Sequence, residues 1–134
     1  WSRQNRSQLV RIPQVQGDNC RMELRSPDPA CNPYLAIGLV LAAGLDGIEH
    51  RMVLQPPVNK NLFRPGEAEG LGLEMLPATL EEAVAIAEES DFLHKVLPEE
   101  LSRRYFAEER ARCEALRAAA DPAEYERIHY FNAI

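Results

Sequence analysis

The segment Cys20-Arg-Met-Glu-Leu-Arg25 alternates apolar and charged residues without a break. Only an extended strand puts Cys20, Met22 and Leu24 on one side and Arg21, Glu23 and Arg25 on the other. Upstream, Ser7 to Pro13 reads as a second strand, ended by Pro13, which lacks the N–H that a central ladder needs. The turn-rich piece Gln16-Gly-Asp-Asn19 between them fits a hairpin turning through Gly17, with an apolar face on the core and a charged face open to a cleft.

At Asn32-Pro33 the period changes. Asn32 is placed to cap a helix, and Pro33 suits its first position because that N–H has no partner anyway. From Tyr34 to Ile48 the chain is apolar almost all round, which predicts a buried helix with Tyr34, Leu35, Leu39 and Leu41 in the core. Gln55 to Pro77 is rich in Pro, Gly and Asn and reads as loop. Thr79-Leu-Glu-Glu82 is a capping-box pattern opening a helix to about Ser90. A long charged helix follows Pro98, with Leu101, Tyr105, Cys113 and Leu116 towards one side and Glu99, Glu100, Glu108 and Glu109 on a solvated face. Asp121-Pro122 restarts a last helix. The expected fold is α+β, strands first and helices after: a strand and loop part over residues 1–32 and a mainly helical part over 33–134.

Charge narrows the partners. The chain carries a net −6, yet residues 1–25 hold five arginines against two acids, a local +3, so the remainder carries −9. An acidic protein with one compact cationic patch suits a small anionic ligand and excludes nucleic acid as main partner. Cys20, Cys31 and Cys113 are odd in number and widely spaced, with no CxxC, so a reduced, cytoplasmic setting is expected. Tyr34 to Leu45 is too short to cross a bilayer, and no signal peptide is visible. A start at Trp1 rather than Met leads us to expect a piece of a longer protein.

Residues two apart in a strand lie about 6.6 Å apart on one face, so Glu23 stands between Arg21 and Arg25, with Arg6 and Arg11 on the neighbouring segment. A carboxylate for a divalent metal and forked guanidiniums for phosphate and carboxylate oxygens suit phosphoryl transfer. From alternation alone, solvated surface ion pairs are the simpler reading, since one carboxylate does not make a metal site. His50, His94 and His129 show no metal-ligand spacing, Asp46 reads as a helix-end hydrogen-bonding residue, and Cys113 has no partnering histidine.

The order of motifs shifts that balance. Asn5-Arg-Ser7, Arg11-Ile-Pro13, Arg21-Met-Glu-Leu-Arg25, Asp28-Pro29, Asn32-Pro-Tyr-Leu35, Ala42 to Ile48, Pro57 to Leu62 and Leu76 to Glu82 follow one another in a series that resembles the C-terminal segment of bacterial glutamine synthetases. The resemblance implies the terminal strands of an antiparallel catalytic sheet followed by helices. It implies ATP and Mg2+ (or Mn2+), with glutamate and ammonia as substrates. ATP phosphorylates the side-chain carboxylate, then ammonia displaces phosphate. It further implies Glu23 as a metal ligand, Arg25 on the glutamate carboxylate, Arg6 between ATP and glutamate as a catalytic residue, and Arg11 and Arg21 at the nucleotide. Other family carboxylates and a histidine lie upstream, so this piece alone is expected to be inactive.

Two positions depart from the family pattern. Asp18 stands near an ATP-contacting lysine, and Phe63 occupies the place of a tyrosine modified by adenylylation in some members. The resemblance also implies a homo-oligomer of stacked rings, in which Tyr125, Ile128, Tyr130, Phe131 and Ile134 would serve assembly. A glutamate–amine ligase of the same family and a non-catalytic oligomerisation or regulatory module are the alternatives. Intact Arg6, Arg11, Glu23 and Arg25 argue against the latter.

Overall fold

The computed structural model describes residues 1–131. The architecture is α+β, with one two-stranded antiparallel sheet and five α-helices among those residues. The chain divides into two units: residues 1–36 with 43–74, and residues 37–42 with everything from Met75 on.

In the first unit, strands β1 (Val10–Arg11) and β2 (Glu23–Leu24) pair antiparallel, with Val10 opposite Leu24 and Arg11 opposite Glu23. The pairing is shorter than the alternation predicts. Pro13 stops β1, and the chain between the strands turns through Gly17, at φ +64°, into a 3-10 turn over Gly17–Asn19. Leu24 is half-buried, but Cys20 and Met22 stand exposed, so only the end of the expected apolar face is covered. Ser2, fully buried, runs parallel to β1: its N–H donates to the Val10 carbonyl (3.0 Å) and its carbonyl accepts from Ile12 N–H (2.9 Å).

Helix α1 (Pro33–Glu49) starts where the capping pattern puts it: Asn32 Oδ1 accepts from Tyr34 N (3.0 Å) and Leu35 N (3.3 Å). It ends in a Schellman motif, in which Arg51 at φ +50° donates to the Ile48 carbonyl and Met52 to the Gly47 carbonyl. Its expected burial does not hold. Leu35 and Leu39 are half-buried, whereas Tyr34 (86%), Ile37, Leu41 (63%), Leu45 and Ile48 (75%) are exposed. An all-round apolar helix needs cover on every side, and the described residues cover it on one side.

In the second unit, α2 (Leu80–Glu88), α3 (Asp91–Val96) and α5 (Pro122–Glu126) each pack on the long helix α4 (Glu99–Ala118). The expected capping box forms: Thr79 Oγ1 accepts from Glu82 N (3.2 Å) and Glu82 Oε2 accepts from Thr79 N (3.3 Å). Helix α3 is an addition, opened by Ser90 Oγ accepting from Leu93 N. The core of this unit is Val84 and Phe106. The buried stripe on α4 is Ser102, Phe106 and Glu109, continuing through half-buried Cys113 and Leu116. Leu101 is exposed, and Glu109 (6% exposed) is not on a solvated face. Both polar groups of the stripe are satisfied, Ser102 Oγ donating to the Glu99 carbonyl (3.0 Å) and Glu109 taking Arg112 (3.0 Å). After α5 the chain runs through a π-helical turn, Arg127–Phe131; Ile134, also expected at an assembly surface, lies outside the described residues. No helix among those described is long and apolar enough to cross a membrane.

Candidate active site

Antiparallel register sets the site. Because Arg11 stands opposite Glu23, their side chains rise from the same face, and Arg11 Nη2 donates to Glu23 Oε1 at 2.8 Å. Arg21, two residues back along the second segment, reaches the same oxygen from Nε (3.2 Å) and Nη2 (3.1 Å). All these contacts fall on Oε1, and Oε2 carries no hydrogen bond among the described residues. The Arg11 hydrogen bond, with Arg21 beside it, holds the Glu23 carboxyl below the ordinary glutamate range, so it stands as the anion at neutral pH. Arg11 also keeps one buried donor, Nε, without an acceptor.

Arg25 does not join this cluster in the way strict alternation implies. Its backbone N–H donates to the Leu9 carbonyl (2.9 Å), and its Nε donates to the carbonyl of Arg6 (3.1 Å). Arg6 rides on a loop, residues 3–9, whose ends Ser2 and Val10 are joined by backbone hydrogen bonding, and its side chain is exposed. The five residues thus form two groups beside one short sheet: Arg11, Glu23 and Arg21 in an ion cluster, Arg6 and Arg25 joined through a backbone carbonyl.

Sequence reasoning misses what holds the Arg6 loop. Gln8 is 7% exposed, and its Nε2 donates to the Val58 (2.7 Å) and Lys60 (2.9 Å) carbonyls. In the pattern Arg-Ser-Gln-Leu-Val it reads as an outward strand position, and no spacing marks it otherwise.

The remaining candidates lie outside this cluster and make local contacts or stand exposed. His50 Nδ1 lies 2.9 Å from the Asp46 carbonyl and 3.3 Å from Asp46 Oδ1, closing α1. His94 and His129 likewise meet backbone carbonyls, of Glu88 and Tyr125. Burial, then Glu81 and Glu109 nearby, push the Cys113 thiol up, away from nucleophilic use. Asp18 is exposed within the Gly17–Asn19 turn, and Phe63 is exposed on the long loop.

A sequence profile described as the glutamine synthetase catalytic domain matches residues 1–128. The chain belongs to the glutamine synthetase family. Proteins named glutamine synthetase share 42% identity over 129 residues in Methanosarcina mazei, 41% over 121 in Methanocaldococcus jannaschii and 36% over 132 in Staphylococcus aureus. Those alignments take in 95%, 89% and 97% of this chain but only 29%, 27% and 29% of the respective relatives. The chain therefore spans less than a third of the glutamine synthetases it resembles.

An ATP-and-metal site can be tested against the residues present. The half-exposed Arg21 guanidinium beside Glu23 suits phosphate oxygens. Glu23 Oε2 is a single anionic oxygen of the kind a hard divalent cation takes. No group of three or more His, Cys, Asp or Glu residues at metal-binding range exists among the described residues. The residues fit such a group as one contributor.

Proposed function

We propose that this chain is the C-terminal part of a glutamine synthetase catalytic domain, in a cytoplasmic, ring-stacked enzyme that joins ammonia to glutamate with ATP. Glu23 contributes a carboxylate oxygen to a divalent ion, Mg2+ or Mn2+, which when bound neutralises charge on the nucleotide phosphates. Arg11 and Arg21 hold Glu23 as the anion and offer donors to those phosphates. Arg25 binds the carboxylate end of glutamate, and Arg6 neutralises charge where the phosphoryl group passes to the side-chain carboxylate. Ammonia then displaces phosphate from the glutamyl phosphate. The chain alone, with one such carboxylate, is not expected to turn over.

The observation that carries this reading is the arrangement around Glu23. Two guanidiniums crowd one carboxylate oxygen and leave the other open.

The test is Glu23→Gln in the full-length protein, which keeps the shape and removes the charge. Turnover titrated with magnesium should fall by about 100-fold or more at limiting metal while the fold survives, the size expected when a charged transition-state contact is lost. Normal activity at limiting magnesium would remove Glu23 from the metal.

A further inference from the structure

We propose that Gln8, assisted by Ser7, is a positioning residue that fixes Arg6 by tying its loop to residues 55–62; this rests on the role proposed for Arg6. The tie is dense. Gln8 Nε2 donates to the Val58 (2.7 Å) and Lys60 (2.9 Å) carbonyls. Ser7 Oγ accepts from Leu62 N at 3.0 Å and donates towards the Lys60 carbonyl at 3.4 Å. Trp1 closes the far end, its Nε1 donating to the Gln55 carbonyl (2.6 Å) and its carbonyl accepting from Val58 N (2.8 Å). Arg25 Nε takes the Arg6 carbonyl from the other side.

Arg6 is thus the exposed tip of a loop whose next two residues and whose own carbonyl are all held. No regular element does this work: residues 3–9 and 51–79 contain neither helix nor strand. A loop without a ladder keeps its place only through such side-chain hydrogen bonds to backbone. Gln8 suits the task because one NH2 group carries two donors, and both meet a carbonyl. Gln8 is buried, so its amide is withdrawn from bulk water and takes its partners from the chain. A charged side chain acting on a moving phosphoryl group must be held closely, and a displacement of about 1 Å can cost about 100-fold in rate.

The experiment is a double-mutant cycle in the full-length protein with Gln8→Met, Arg6→Ala and their combination. Methionine has nearly the length of glutamine and no donor. Gln8→Met should lower kcat about tenfold, leave KM for ATP within about twofold, and raise amide hydrogen exchange in residues 3–9 and 58–62. On the Arg6→Ala background the same change should cost less than about twofold, because the group it positions is already gone. Full multiplicative loss in the double variant, or unchanged kcat despite faster exchange, overturns the positioning role alone. Unchanged turnover in Arg6→Ala overturns the role of Arg6 and this inference with it. Should Gln8→Met not yield folded protein, Ser7→Ala removes the milder tie, and the same cycle run with it supports or overturns the proposal on the same outcomes.

Discussion

In the role proposed for it, Arg25 does two things with one guanidinium, and its planar fork makes that possible. Nε holds the Arg6 carbonyl at 3.1 Å, and the two Nη groups remain to meet a substrate carboxylate. Arg25→Lys keeps the charge but loses the planar fork that sets its donors apart towards two partners. In the full-length protein this change should raise KM for glutamate by about tenfold or more and leave KM for ATP nearly unaltered, the loss of one charge-assisted hydrogen bond. Steady-state kinetics varied separately in the two substrates reads it, and an equal rise in both constants would contradict the assignment. At this scale the sequence is informative about chemistry and less so about geometry. The identities Arg21, Glu23 and Arg25 on alternate positions are legible, as is Arg11 nearby. What alternation cannot say is which cation pairs with the acid. Cross-strand register decides that, and it selects Arg11, with Arg25 turned to a carbonyl on a loop. Gln8 is illegible for the same reason: its partners lie fifty residues on, and nothing local records them.

Helix starts are the most legible elements, because capping is local chemistry. Asn32, Thr79 and Asp121 each accept the backbone N–H groups expected of them. Ser90 caps α3 in the same way; the sequence reading ends the preceding helix at about Ser90 but does not mark the six-residue helix that Ser90 opens. The C-terminus of α1 is the exception in kind. Its Schellman motif requires a left-handed residue, and Arg51 occupies that position at φ +50° instead of the glycine such sites favour. The left-handed conformation costs a residue with a Cβ about 1–2 kcal/mol. Glycine removes this strain but returns some entropy to the unfolded chain. Arg51→Gly should therefore stabilise the protein by about 0.5–1 kcal/mol, seen as a higher denaturation midpoint at unchanged m. A lower midpoint would mean that the Arg51 side chain makes a stabilising contact outside these residues. The register of α4 shows the limit of reading a polar helix. The buried stripe at Ser102, Phe106 and Glu109 contains one apolar residue in three, so hydrophobic periodicity marks Cys113 and Leu116 on the covered side but takes Leu101 in place of Ser102 at the start of the helix.

At the scale of the whole molecule the chief discrepancy is α1. Its apolar character marks a helix meant to be covered, yet Tyr34, Ile37, Leu41, Leu45 and Ile48, at helical spacing along one side, stand exposed. Burial is a property of everything that folds around a helix, and the sequence of the helix cannot show whether that surrounding protein is in the same 134 residues. The relatives are more than three times as long as the part matched here, and a stripe of this size is uncommon on a protein surface that has no further contacts. The consequence is a substitution whose cost depends on context. In the 134-residue chain Leu41 is 63% exposed, so Leu41→Ala should change stability by no more than about 0.5 kcal/mol. In the full-length protein, with the stripe covered, the same truncation should empty a packed site and cost about 2–5 kcal/mol. Denaturant unfolding of the two proteins, each with and without the change, gives the comparison directly. Equal and small effects in both would mean that α1 remains bare in the longer protein, and its all-round apolar sequence would then need another occupant.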